Sequence, residues 1–107
     1  MIINDGVFRV KLSTKGRKTG RLHSVILQAV KHNEKIYFSR HRPDGDWFKN
    51  ALVNPDVIIK YNNTTFKGKA RLVEDEKMEQ KISQLKYPGE ERANEKRVAI
   101  EVILYEQ

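Results

Sequence analysis

Cysteine is absent from the 107 residues, and its absence excludes a disulfide framework, a thiolate nucleophile, a Cys-ligated zinc and an iron–sulfur cluster. Histidine is scarce. His23, His32 and His41 have no short metal-ligand spacing, and the carboxylates near them in sequence are Glu34, Asp44 and Asp46, so the pattern offers no metal site. Ser13, Ser24, Ser39 and Ser83 lack a nucleophile-elbow context, and no side chain is singled out as catalytic. Long apolar runs are missing too. Nothing approaches the roughly 20 residues that cross a bilayer, and the opening Met1 to Gly6 lacks the basic flank and apolar stretch of a secretion signal. The expectation is a cytoplasmic protein with no membrane partner. Aromatic residues are few, at 8%, and no RNP-like aromatic pair stands in a basic strand, which leaves nucleic-acid binding only a charge argument.

What remains suits one compact domain spanning 1–107: 38% hydrophobic residues can form a core, and 33% charged residues make a heavily ionised surface. The net charge of +7 is not spread evenly. Between Gly6 and Asn33 lie Arg9, Lys11, Lys15, Arg17, Lys18, Arg21 and Lys31 with no acid, while the other 14 basic residues balance the 14 acids. An anionic partner is expected on that side: a phosphorylated cofactor, a nucleic acid, or, less readily without a basic amphipathic helix, a membrane surface.

Strand patterns dominate. Val7 to Leu12 alternates, with Phe8, Val10 and Leu12 on one face, and runs into the turn-rich Ser13 to Gly20. Leu22 to Val30 is apolar on both alternating faces, as in a strand covered on two sides. His32-Asn33 reads as a turn, Lys35 to Arg40 as the return strand, and Pro43, Asp44 and Gly45 as a break beside the charged Arg40, His41 and Arg42. Asp46 is placed to cap a short helix through Trp47, Phe48, Ala51 and Leu52 to about Val53, because Pro55 disfavours its continuation. Val57 to Tyr61 and Thr65 to Val73 form a hairpin about Asn62-Asn63, with Phe66, Gly68, Ala70 and Leu72 opposed to Lys67, Lys69 and Arg71. Glu74-Asp75-Glu76 opens a second helix, striped by Met78, Ile82 and Leu85 and stopped at Tyr87-Pro88-Gly89. Arg97 to Tyr105 closes the series, with Val98, Ile100, Val102 and Leu104 on one face and Glu101 on the other. About six strands and two short helices, joined by connections too short for parallel crossovers, predict a mainly β fold with short helices, a small β-barrel.

Thr14 to Arg21 is the main candidate site. A glycine-hinged loop can turn backbone N–H groups toward one anion, Arg17 offers a planar fork, Lys15 and Lys18 offer mobile charges, and Thr14 and Thr19 offer hydroxyls. It is not a nucleotide-hydrolase P-loop, since Gly20 leads into Arg21 and a strand rather than a helix. An ordinary solvated basic turn is the other reading of the same residues. Trp47 and Phe48 suit core anchors of the helix better than stacking platforms.

The order of motifs carries more. Ser13-Thr14-Lys15-Gly16-Arg17-Lys18-Thr19-Gly20-Arg21-Leu22-His23, then Tyr37-Phe38-Ser39, then Asp46 to Pro55, then Phe66-Lys67-Gly68-Lys69-Ala70-Arg71 resembles the deazaflavin (F420)-dependent nitroreductase family, which belongs with the split-barrel flavin-binding oxidoreductases related to pyridoxamine 5'-phosphate oxidase. The resemblance spans about Leu12 to Tyr105. It implies a split β-barrel binding F420, or FMN in some relatives, and transferring hydride to a small organic acceptor. By position it implies cofactor contacts from Lys15, Gly16, Arg17, Lys18, Thr19, Gly20, His23, Ser39, Arg40, Trp47 and Asn50. F420 is preferred, since its acidic tail suits a positive segment longer than one phosphate needs. The tyrosines that some members carry after the Tyr-Pro pair are replaced by Glu90, Glu91, Arg92 and Ala93, so the acceptor does not carry over. A homodimer is compatible with the short amino terminus. The alternatives are a small basic nucleic-acid-binding barrel and a cofactor carrier or sensor without turnover.

Overall fold

In a computed structural model of the protein, residues 5–40, 45–94 and 97–105 are described. Six strands, β1 (Gly6–Lys15), β2 (Leu22–His32), β3 (Lys35–Arg40), β4 (Asp56–Tyr61), β5 (Thr64–Leu72) and β6 (Val98–Leu104), form a closed barrel in the order β1-β2-β3-β6-β5-β4. All pairings are antiparallel, and β1 against β4 completes the ring, with Leu12 opposite Ile59 and Thr14 opposite Val57. Closure removes both sheet edges and with them the exposed N–H and C=O groups that invite aggregation. This is the split β-barrel expected from the sequence.

The alternation that predicted the strands also fills the barrel. Val10, Leu12, Ile36, Phe38, Val57, Ile59, Phe66, Ala70, Ile100 and Val102 point inward and are buried together with Phe48 and Ala51 of the helix α1 (Asp46–Val53). Two turns depend on left-handed residues. Asn62 and Asn63 have φ of 49° and 63°, the geometry of a two-residue hairpin whose twist matches the strands. The β2–β3 turn sits one residue later than its composition suggested: Asn33 and Glu34, not His32, take the positive φ values, and His32 remains in β2.

A second cluster lies outside the barrel. The helix α2 (Glu76–Lys86) lays Ile82, with Met78 and Leu85, over Val30, Tyr37 and Ala99 on the outer surface of β2, β3 and β6. Its N-cap is Asp75, whose carboxylate accepts from the Lys77 N–H at 2.9 Å. A short 3-10 turn, Glu91–Asn94, follows without a sequence signal strong enough to anticipate it.

Two readings need correction. The strand β2 is covered on both faces only at its C-terminal end: Ala29, Val30 and Lys31 are buried, whereas Ile26 is 69% exposed, because α2 reaches only that end. Asp46 does not cap α1. Gly45 is the N-cap, without a side-chain bond, and Asp46 opens the helix. Leu72 keeps the face of Phe66 and Ala70, opposite Ile100, and is 39% exposed at the end of β5. Glu101 faces outward as expected, and it is buried there by Arg71 and Lys35, both of which pair with its carboxylate. The break expected at Pro43 and Asp44, with His41 and Arg42, lies outside the described residues. No helix among the described residues is long and apolar enough to cross a membrane.

Candidate cofactor cleft

The loop between β1 and β2 begins later than its composition suggests, because β1 runs through Ser13 and Thr14 to Lys15. It is folded on itself. The Gly16 N–H donates to the Arg21 carbonyl at 2.7 Å, the Gly20 N–H to the Gly16 carbonyl at 2.9 Å, and the Arg21 N–H to Thr19 Oγ1 at 3.2 Å. Gly20 takes a φ of +74°, where a side chain would be strained. Gly16 is needed for a different reason: a Cβ there would lie 2.9 Å from both His23 Nε2 and Thr19 Oγ1, so the imidazole and the hydroxyl close over its bare Cα.

Arg17 joins this loop to α1. Its backbone N–H donates to Asn50 Oδ1 at 3.2 Å, its Nη1 donates to the same oxygen at 2.8 Å, and its Nη2 reaches Asp46 Oδ1 at 3.3 Å. The fork expected to hold a phosphate is thus engaged with the protein, and Asn50, at 3% exposure, is the buried acceptor that anchors it. With the N–H groups of Gly16, Arg17, Gly20 and Arg21 occupied, those of Lys18 and Thr19 are left without partners among the described residues. Two adjacent free N–H groups at the tip of a turn make an anion-binding concavity.

Loop and helix face each other across a cleft of about 480 Å³ lined by Gly16, Arg17, Lys18, Thr19, His23, Ser24, Val25, Asp46, Trp47 and Asn50. This volume falls within the range of small-molecule sites. Trp47 forms its apolar wall, held edge-on by Phe38 at 6.2 Å and Phe48 at 5.7 Å, with the Arg40 guanidinium 6.0 Å from the ring centroid. Val25 comes up from the barrel interior beside it. Of the residues singled out from the sequence, seven converge here: Gly16, Arg17, Lys18, Thr19, His23, Trp47 and Asn50. Lys15 and Gly20 flank the loop, where the Lys15 carbonyl accepts from Asn54 Nδ2 at 3.3 Å, and Arg40 stands behind Trp47.

Ser39 is not brought to the cleft. It shares the outward parity of Tyr37 on β3, and its carbonyl and hydroxyl accept from Lys86 Nζ of α2 at 3.3 and 3.4 Å. Burial holds the Lys86 ammonium below the ordinary lysine range. Sequence reasoning missed Ser24, Val25 and Asp46 as lining residues. The β1–β2 register was the signal available for the first two, since it sets Ser24 against Ser13 and Val25 against Leu12 at the loop end of the hairpin.

The donor set suits an anionic, ring-bearing ligand: one ammonium, two N–H groups, a hydroxyl and an imidazole on one side, an indole on the other, and a lone carboxylate already tied to Arg17. Among the described residues no group of three His, Asp or Glu side chains could hold a metal ion.

Comparison with known proteins agrees with this geometry. No curated protein matches the sequence. Among solved structures, an F420-H2-dependent reductase superposes with a TM-score of 0.68 at 24% identity, covering 88% of this chain and 92% of its own. A structure described as a domain-swapped dimer gives 0.69 at 22% identity, covering 95% and 83%. An FAD-binding protein from Mesorhizobium loti gives 0.59 at 15% identity, covering 96% and 83%. At these identities the likeness is one of fold. The sequence itself matches the family described as F420H(2)-dependent quinone reductase over residues 5–107. The chain therefore belongs to the F420H(2)-dependent quinone reductase family, and it is an oxidoreductase.

Proposed function

We propose that the Gly16–Arg21 loop binds the phosphate of F420 and that the cleft beside Trp47 receives the ring, from which hydride passes to a small organic acceptor. The observation that carries this reading is the convergence of the free Lys18 and Thr19 N–H groups, the Lys18 ammonium and His23 opposite an edge-braced indole. FMN is the alternative occupant of the same donors. F420 is preferred because the positive segment extends beyond what one phosphate requires.

When bound, the cofactor supplies the hydride chemistry. The chain's own residues bind and orient. Lys18 and Thr19 fix the anionic end, Arg17 sets the loop against α1 through Asn50 and Asp46, and Trp47 with Val25 forms an apolar wall that limits how the ring can lie. The hydride would carry both electrons, and the proton that completes reduction of an acceptor such as a quinone would come from solvent. The family description makes quinones the first acceptor class to test. The 107 residues act as one cofactor-binding domain in this reading, and pairing of two copies is supported by a structural neighbour described as a dimer.

Titrating cofactor-free protein separately with F420 and FMN, then following oxidation of reduced F420 over a panel of quinones and nitroaromatics, tests the proposal. Saturable binding with turnover of at least one acceptor is expected. Absence of binding to either cofactor would refute it, and binding without turnover of any acceptor would make the protein a carrier or sensor.

A further inference from the structure

Among the described residues, no element covers one side of the barrel. The helix α2 shields the outer surface of β2, β3 and β6, but the outward positions of β1, β4 and β5 carry Arg9, Lys11, Lys60, Lys67 and Lys69, all exposed. The register places Lys11 directly opposite Lys60. Like charges so placed destabilise a sheet, and among the described residues none of these five cations forms an ion pair. Asp56, the acid among these outward positions, has its carboxylate engaged by the Tyr105 hydroxyl. Alongside, on β2, stand Leu22 and Ile26, 62% and 69% exposed, with Ile26 opposite Lys11 on its other flank.

We propose that this face docks on an anionic lipid bilayer. Its charge requires an anionic partner, and its side chains discriminate between the two large candidates. Binding of single-stranded nucleic acid relies on a series of aromatic stacking platforms; the outward positions of β1, β4 and β5, and of β2 from Leu22 to Gln28, carry none, and the one aromatic beside them, Tyr105, has its hydroxyl tied to Asp56. Exposed aliphatic chains set among lysines are what an interfacial surface buries between lipid headgroups. The sequence has no basic amphipathic helix, the usual membrane-surface element. Here the two-residue period of four neighbouring strands assembles the same mixture of cations and aliphatics that a helix would present at its own period. The inference does not depend on the cofactor assignment.

Co-sedimentation of the full chain with phosphatidylcholine vesicles, with and without phosphatidylserine, is the test. Binding should require phosphatidylserine and reverse in high salt. Lys11→Gln combined with Lys60→Gln should weaken it by about thirtyfold. Ile26→Ser should weaken it severalfold with no change in charge. Melting temperature serves as the control: Ile26→Ser should leave it unchanged, and the double substitution should leave it unchanged or raise it, because the repulsion between Lys11 and Lys60 is removed. No sedimentation with phosphatidylserine vesicles at low salt would overturn the proposal. So would binding that is indifferent to the double substitution, or tighter binding to a single-stranded oligonucleotide that Ile26→Ser leaves unaltered.

Discussion

Arg17 and Asn50, 33 positions apart in sequence, meet through two hydrogen bonds to a single oxygen: the Arg17 N–H at 3.2 Å and its Nη1 at 2.8 Å both donate to Asn50 Oδ1. One buried amide thereby sets the distance between the loop and the helix that form the two walls of the cleft. Replacing Asn50 with Leu removes the acceptor and strands the Arg17 donors, at a cost of about 1–3 kcal/mol. The melting temperature should fall and affinity for F420 should fall with it, whereas Asn50→Asp, which keeps the acceptor, should retain both. Equal behaviour of the two variants would show that this contact does not hold the cleft open.

Gly16→Ala should act on the cleft more than on the fold. The new methyl would press on the ends of His23 and Thr19, which can move, rather than on backbone. Overpacking of this kind costs about 1–3 kcal/mol where neighbours are fixed and less where they yield. We expect a small change in melting temperature and a clear loss of cofactor affinity, read by fluorescence titration. A large drop in stability with unaltered affinity would place the role of this glycine in folding.

Lys18→Glu separates phosphate binding from a solvated basic turn. Lys18 is exposed and forms no ion pair among the described residues, so reversal leaves the fold intact. Cofactor binding should weaken by more than the roughly 1.5–3 kcal/mol of a lost charge-assisted hydrogen bond, since repulsion is added. Unchanged affinity would assign the phosphate to other residues.

Gly68→Ala provides the structural contrast. A Cβ at this position in β5 would lie 2.7 Å from Val102 Cγ1 and 2.8 Å from the backbone oxygen of Ile103, and that oxygen cannot rotate away. We expect destabilisation of about 1–3 kcal/mol or more in denaturant titrations, with little direct effect on cofactor affinity per folded molecule.

Lys31, 4% exposed, is held by Asp5 at 2.7 Å and by Glu34 at 3.4 Å. The Lys31 hydrogen bond holds the Asp5 carboxyl below its ordinary value of 3.8, and the bond from Asp5, opposed by burial, holds the ammonium above 10.5. The stability Asp5 contributes is therefore present above the ordinary carboxylate value and lost as pH falls through its lower folded value. That of Lys31 is present below 10.5 and lost as pH rises through its higher folded value. Melting curves of the native protein and Asp5→Asn should differ at neutral pH and converge at both extremes. A gap constant across pH would mean that the pair adds nothing.

How much of this was legible beforehand follows from the range of each signal. The alternation of Phe66, Gly68 and Ala70 against lysines, the Asn62-Asn63 turn and the acidic opening of α2 are written within a few residues, and each appears where local chemistry places it. The loop's cations and glycines marked the candidate site for the same reason. Local pattern could not say that the Arg17 fork would be taken up by Asn50 and Asp46. Nor could it say that Ser39 would face Lys86, that Glu101 would be buried against Arg71, or that Lys11 would stand beside Lys60. Those relationships depend on which strands become neighbours when β1 closes on β4, and on where two helices come to rest. The sequence alone determined the strands, the turns and the concentration of positive charge, because short-range sterics and periodicity are enough for them. Partners distant along the chain were decided only by barrel closure and register, because these bring together groups that no local window contains.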